Sequence, residues 1–265
     1  MARIPSTHRT LCALGLAAAL AACSSGPEPP PPDLPAEQLY SDGQNLMAEG
    51  DFKAAAKSFE EVERQHPYSQ WATRGQIMAA YSYYEANQYE DAVSAAERFI
   101  DLHPGHKDVA YAYYLIGVSY YEQISDVGRD QEMTQKSEEA FNELIRRFPQ
   151  SDYSQDAELK VDLIRDHLAG KEMEIGRYYQ RHRFWLASIN RFRAVVEQYQ
   201  TTTHVPEALH RLAESYLALG MTEEAQSAAA VLGYNFPGSE WYERTYALVN
   251  GTPLQQNRSW FSGLF

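Results

Sequence analysis

Apolar and small residues recur along this chain at steps of three and four, the spacing that places them on one face of a helix. One pattern returns five times: a starting residue, then small or apolar residues at the third and seventh positions after it. A large residue follows at the tenth and an aromatic or His at the fourteenth. It runs Phe52, Ala55, Phe59, Val62, His66; then Tyr89, Ala92, Ala96, Phe99, His103; then Thr134, Ser137, Phe141, Leu144, Phe148. The fourth copy is Trp185, Ser188, Phe192, Val195, Tyr199, and the fifth is Thr222, Ala225, Ala229, Leu232, Phe236. Four of the five end on Pro67, Pro104, Pro149 or Pro237. Proline cannot continue a helix and biases the residue before it away from helical dihedrals, so each marks a stop.

Each such segment is preceded by a second helical stretch: 36–49, 70–86, 108–124, 153–183 and 205–219. Gly170 and Gly176 weaken the long fourth stretch, by about 1 kcal/mol each in a helix interior. The predicted fold is all-α: a superhelical solenoid of about five helix–turn–helix repeats similar to tetratricopeptide units, because a pair cannot bury its apolar face alone. The polar insertion 125–133 lengthens the third repeat and reads as a functional or mobile loop. A last helix over 240–249 caps the stack, and 251–265 reads as a flexible tail.

The N-terminus has a different pattern. Arg3, His8 and Arg9 precede an apolar run from Leu11 to Leu20, too short to span a bilayer, and the run ends in Leu20-Ala21-Ala22-Cys23. This arrangement resembles a bacterial lipobox, with residues 1–22 as signal peptide and Cys23 as the lipidated N-terminus. An ordinary cleavage site with an incidental cysteine is the alternative. Cys12 falls in the removed segment, so Cys23 would be the one cysteine left and no internal disulfide can form. Six of the twelve residues from Ser24 to Pro35 are proline, the composition of a semi-rigid polyproline spacer. Ser24 rather than Asp after the cysteine favours the outer membrane.

Composition narrows the function classes. The 265 residues carry a formal charge of −13, and loss of Arg3 and Arg9 with the signal segment makes the remainder −15. That balance argues against nucleic acid as a partner. The exception is local: Lys171, Arg177, Arg181, Arg183, Arg191 and Arg193 crowd one stretch and suggest a partner surface, unless they only solvate a helical face. No phosphate loop, nucleophile elbow or zinc motif appears, so neither catalysis nor a cofactor is expected. His103 and His106 have metal-like spacing, but His103 holds the helix-stop position that His66, Phe148 and Phe236 hold elsewhere. Tyrosine is abundant, at nineteen. Tyr81 and Tyr84, with Tyr113 and Tyr114, lie on first helices of repeats and are candidates for gripping an extended peptide; inter-repeat packing is the competing role.

Lipobox, spacer and repeats together resemble the BamD-like lipoproteins of the outer-membrane β-barrel assembly machine. The local strings that carry the resemblance are Phe99-Ile100-Asp101-Leu102-His103-Pro104, Gly128-Arg129-Asp130, Arg177-Tyr178-Tyr179 and Ala187-Ser188-Ile189-Asn190-Arg191. The resemblance covers about 20–237. It implies that the C-terminal repeats (152–250) bind the POTRA domains of the barrel subunit, BamA, with Arg191, Asn190 and Arg177 as contacts. It also implies that the N-terminal repeats (36–151) receive unfolded outer-membrane proteins, and that other lipoproteins of the machine are neighbours. Cys23 and the spacer (23–35) would hold the solenoid at the periplasmic face of the outer membrane. Another envelope repeat lipoprotein, an adaptor for cell-envelope or division complexes, is the alternative; such adaptors often carry a heptad coiled coil, and no heptad run is present.

Overall fold

The computed structural model describes residues 33–251; the signal segment, lipobox, spacer residues 23–32 and tail residues 252–265 lie outside them. Eleven α-helices follow one another: α1 (Ala36–Ala48), α2 (Phe52–Gln65), α3 (Gln70–Glu85), α4 (Tyr89–Leu102), α5 (Val109–Tyr121), α6 (Glu132–Arg147), α7 (Asp152–Arg181), α8 (Trp185–Gln198), α9 (Val205–Ala218), α10 (Thr222–Asn235) and α11 (Glu240–Asn250). The described residues form no strand, and no helix among them is long and apolar enough to cross a membrane. Every helix packs on the next, and α1, α3, α5 and α7 also touch in series, as the first helices of stacked pairs do.

The turns repeat because their chemistry repeats. Between first and second helices the chain passes through a left-handed residue: Gly50 (φ 83°), Asn87 (φ 57°), Arg183 (φ 63°) and Gly220 (φ 77°). Between second and next first helices the Pro stop is followed by a serine cap. Ser69 Oγ accepts from the Ala72 amide at 3.0 Å, Ser151 Oγ from Tyr153 at 3.3 Å and Ser239 Oγ from Tyr242 at 3.2 Å.

Packing between the helices of a pair follows size matching. At the seventh pattern position Phe59, Phe141 and Phe192 are fully enclosed, and each lies against a glycine of its first helix. A Cβ built on Gly43, Gly117 or Gly176 would stand 2.7, 2.4 or 2.4 Å from the facing ring. Where that position is Ala96, the first helix carries buried Ala80 instead. This corrects the reading of Gly176 as a weakness in α7: helix propensity is forfeited so that a phenyl ring can reach backbone. Thirty residues of α7 stay helical. Its first half, to Leu168, joins the core of the second and third repeats, and Ala169 and Met173 join the core of the last two.

The insertion is anchored. Helix α6 begins at Glu132, two residues before the pattern start at Thr134. The Gln131 amide donates to the carbonyls of Asp126 (3.3 Å) and Arg129 (3.1 Å), and its oxygen accepts from Thr134 Oγ1 at 3.0 Å. Lys171 Nζ donates to the Gly128 carbonyl at 2.9 Å, tying the loop to α7. At the other end, the Leu34 amide donates to Gln65 Oε1 (2.9 Å) and its carbonyl meets His66 Nε2 (2.6 Å), so the spacer is released beside the C-terminus of α2.

Candidate functional site

Two faces collect the residues singled out from the sequence. The first lies on α3, α5 and the start of α7. Tyr84, Tyr111 and Tyr114 are half-buried there, and Tyr153 stands 5.1 Å from Tyr111 and 5.4 Å from Tyr114 between ring centres. Tyr114 donates to Asp156 Oδ2 at 2.6 Å, and Lys160 pairs with the same carboxylate at 3.0 Å. Burial raises the Tyr111 phenol above the ordinary value, with Tyr81 and Tyr153 adding to it; burial and then Asp156 do the same for Tyr114. These hydroxyls stay protonated donors near neutral pH. Burial and then Glu122 raise Tyr84, while burial and then Glu85 raise Tyr81. The face is therefore aromatic, rimmed by carboxylates, with Lys160 as its cation.

Tyr113 does not join this face. It packs on Phe148 of α6 at 5.9 Å, with the Arg147 guanidinium 5.3 Å from its ring. The reason is helical geometry: Tyr111 and Tyr114 are three apart and share a face, whereas Tyr113 points to the second-helix side. The structure thus sets Tyr113 apart from Tyr114. Tyr153, Asp156 and Lys160, which complete the face, were not singled out from the sequence. Their spacing of three and four on one helix was the available signal.

The second face lies between α7 and α8. Asn190 and Arg191 line a hollow of about 450 Å³ together with Glu172, Tyr179, Ala187, Ala194 and Gln198. Arg191 Nη1 donates to both carboxylate oxygens of Glu172, at 3.2 and 3.1 Å, while its side chain stays 43% exposed. Nε and Nη2 have no hydrogen-bond acceptor among the described residues, so the guanidinium is oriented by one carboxylate and keeps donors for another.

Arg177 is elsewhere. Five residues on from Glu172, it falls on another side of α7 and donates to Glu207 of α9 at 3.1 Å. Gln180 on the same side reaches Glu214 (3.1 Å) and Ser215 (3.3 Å). The structure sets Arg177 apart from Asn190 and Arg191: it braces the fourth repeat on the fifth. The local run of positive charge is largely spent in this way, since Lys171 and Arg193 also have internal partners, the latter on Tyr216 Oη at 2.9 Å. Next to the hollow, the α7–α8 turn presents exposed Tyr178, Phe184 and Leu186 beside Arg181 and Arg183.

His103, which has metal-like spacing with His106, bonds Gln76 Oε1 at 2.7 Å through Nε2 and lies against Phe99 at 5.3 Å. This is the role of a helix-stop residue closing the core.

Comparison with known proteins bears on what such faces serve. Residues 32–232 match a family model described as an outer membrane lipoprotein. A Caulobacter vibrioides protein named outer membrane protein assembly factor BamD is 46% identical over 249 residues, covering 93% of this chain and 82% of its own length. A Rickettsia prowazekii protein of the same name is 47% identical over 215 residues, covering 81% of this chain and 86% of its own length. Among solved structures, a tetratricopeptide protein of Thermus thermophilus aligns over 81% of this chain and 98% of its own at 19% identity and a TM-score of 0.38.

Proposed function

Because this chain belongs to the outer membrane lipoprotein family of BamD assembly factors, we propose that it is a lipid-anchored scaffold holding a barrel-inserting subunit with one face and incoming barrel proteins with another. Cys23 carries the lipid, and several acyl chains on one residue hold firmly without a spanning helix. Residues 23–33, extended at about 3.1 Å each, let the solenoid stand up to roughly 30 Å from the periplasmic face of the membrane.

The C-terminal half (152–250) takes the barrel subunit's periplasmic POTRA domains, with Arg191 and Asn190 as contacts. The observation that carries this reading is the Arg191 guanidinium: aimed by Glu172, lodged at a hollow and left with donors that no described residue accepts. It suits a carboxylate on a folded partner, with Tyr178 and Phe184 as aromatic neighbours of the kind that dominate binding energy. The N-terminal half (36–151) takes unfolded barrel segments on the tyrosine face, reaching onto the first turns of α7. Tyr81, Tyr84 and Tyr114 offer flat apolar surface with polar tips to aromatic side chains. Lys160 is the group there suited to a terminal carboxylate.

Co-purification from detergent extracts tests the first contact. Arg191→Glu should lose the barrel subunit while circular dichroism stays helical; undiminished co-purification would remove Arg191 from the interface. A photo-crosslinker at Tyr84 should trap a barrel-protein C-terminal peptide and lose it when the peptide's terminal aromatic becomes alanine. Trapping indifferent to that aromatic would refute the receptor role.

A further inference from the structure

The last repeat leaves a place open. In α2, α4, α6 and α8 the fourth, eighth and eleventh pattern positions meet the repeat that follows. Glu60 and Glu63 of α2 face Arg98 of α4 at 3.9 and 3.4 Å, and Arg193 of α8 bonds Tyr216 of α9. The fourth position is buried in α2, α4 and α8, as Ala56, Val93 and Ile189, and half-buried in α6, as Glu138. In α10 the same positions are Gln226, Ala230 and Gly233, and they line a hollow of about 320 Å³ whose other wall is Tyr242, Tyr246 and Val249 of α11. Gln226 and Ala230 are exposed there, and Ala229 is only half-buried where its counterpart Ala96 is enclosed. Tyr246, which lines the hollow, is 56% exposed. Helix α11 fills the first-helix share of a sixth repeat, and none of the described residues takes the second-helix share.

We propose that residues 252–265 of the same chain fill this seat, packing Trp260 and Phe261 against the small side chains of α10. Where the chain leaves α11 is the first argument. Gly251 caps the helix at φ 64°, the left-handed turn that Gly50, Asn87, Arg183 and Gly220 make before a second helix. Val249 and Asn250, immediately before it, already line the hollow. The sequence that follows is the second argument. In the four earlier repeats that make this turn the pattern starts two residues after the left-handed one, which here is Pro253, preceded by Thr252: residue types of a helix cap and a first turn. Counted from Pro253, the seventh, eighth and eleventh positions are Trp260, Phe261 and Leu264. The seat departs from the earlier ones at one place. Gly43, Ala80, Gly176 and Ala213 stand seven residues before their left-handed turns, and Arg244 holds that place in α11. Arg244, whose guanidinium already lies 4.9 Å from the Trp241 ring, offers a cation to an aromatic side chain where the earlier repeats offer bare backbone.

Hydrogen–deuterium exchange on the full chain in detergent micelles tests this reciprocally. Amides of 254–265 should be protected about tenfold relative to an unstructured peptide, and Ala230→Glu, which charges the seat, should abolish that protection. Trp260→Ala with Phe261→Ala should speed exchange in α10 and α11 by a similar factor and leave α1–α6 unchanged. Unprotected tail amides in the native chain, or protection indifferent to Ala230→Glu, would overturn the proposal. So would protection that appears only with rising protein concentration, which would place a second copy's tail in the seat.

Discussion

Gly176 of α7 lies directly beneath the ring of Phe192 on α8, so close that a Cβ there would stand 2.4 Å from Cε1. The ring is fully enclosed and cannot withdraw. Gly176→Ala should gain about 1 kcal/mol of helix propensity and lose roughly 1–3 kcal/mol to overpacking. The net effect is a melting temperature lower by a few degrees. A Cβ on Gly170 of the same helix would meet the partly exposed His204 imidazole, Nε2 at 3.3 Å, and Val127 Cγ1 at 3.8 Å, but no enclosed ring. Gly170→Ala should be neutral or slightly stabilising. Differential scanning calorimetry of the two variants checks the contrast, and equal losses would contradict it.

Truncating the ring itself tests the same contact from the other side. Phe192→Ala removes an enclosed phenyl from the core of the last two repeats and should cost roughly 3–5 kcal/mol. Urea unfolding of this variant should show the C-terminal repeats melting before the N-terminal ones, because coupling in a solenoid is to nearest neighbours.

Acid should weaken the charge cluster of α9 that also receives Gln180 from α7. Burial alone would raise the Glu214 carboxyl, but His210 and Arg211 together outweigh it and bring it down to about 2. A folded value below the unfolded one means that Glu214 stabilises the fold above about pH 4.5, and that this contribution disappears as pH falls toward 2. Thermal stability should therefore decline across that window. Glu214→Gln should make the decline shallower and lower stability at pH 7, measured by circular dichroism melts at stepped pH.

Arg177 and Arg191 separate stability from recognition. Arg177→Ala breaks a half-buried pair with Glu207 and leaves that carboxylate at the α7–α9 contact, so it should lower the melting temperature while partner affinity holds. Arg191→Ala removes a more exposed pair worth about 1 kcal/mol or less and should leave melting almost unchanged.

Much of the fold was legible because repetition exposes it. The five copies of the pattern give every second helix, and the Pro stops and serine caps give the turns between repeats. The pairing of Phe192 with Gly176 was not legible, since a glycine inside a helix reads as a defect until the facing ring is placed. The candidate faces were half legible. Sequence spacing put Tyr81, Tyr84 and Tyr114 on first helices, but the division of Tyr113 from Tyr114 depends on which neighbour each side chain meets. A positive run in sequence likewise says nothing of which charges are already paired. Arg177 and Arg191 look alike until α9 supplies Glu207 to one, and α7 supplies Glu172 to the other while leaving its remaining donors without an acceptor among the described residues.

The most direct test of the scaffold account is the affinity of the purified chain for the barrel subunit's periplasmic domains, measured by titration calorimetry. Arg191→Glu should weaken binding at least tenfold at unchanged melting temperature, while Arg177→Ala should leave the affinity within about twofold of native. Native affinity for Arg191→Glu, or an equal loss for both variants, would contradict the assignment of the α7–α8 hollow as the docking face.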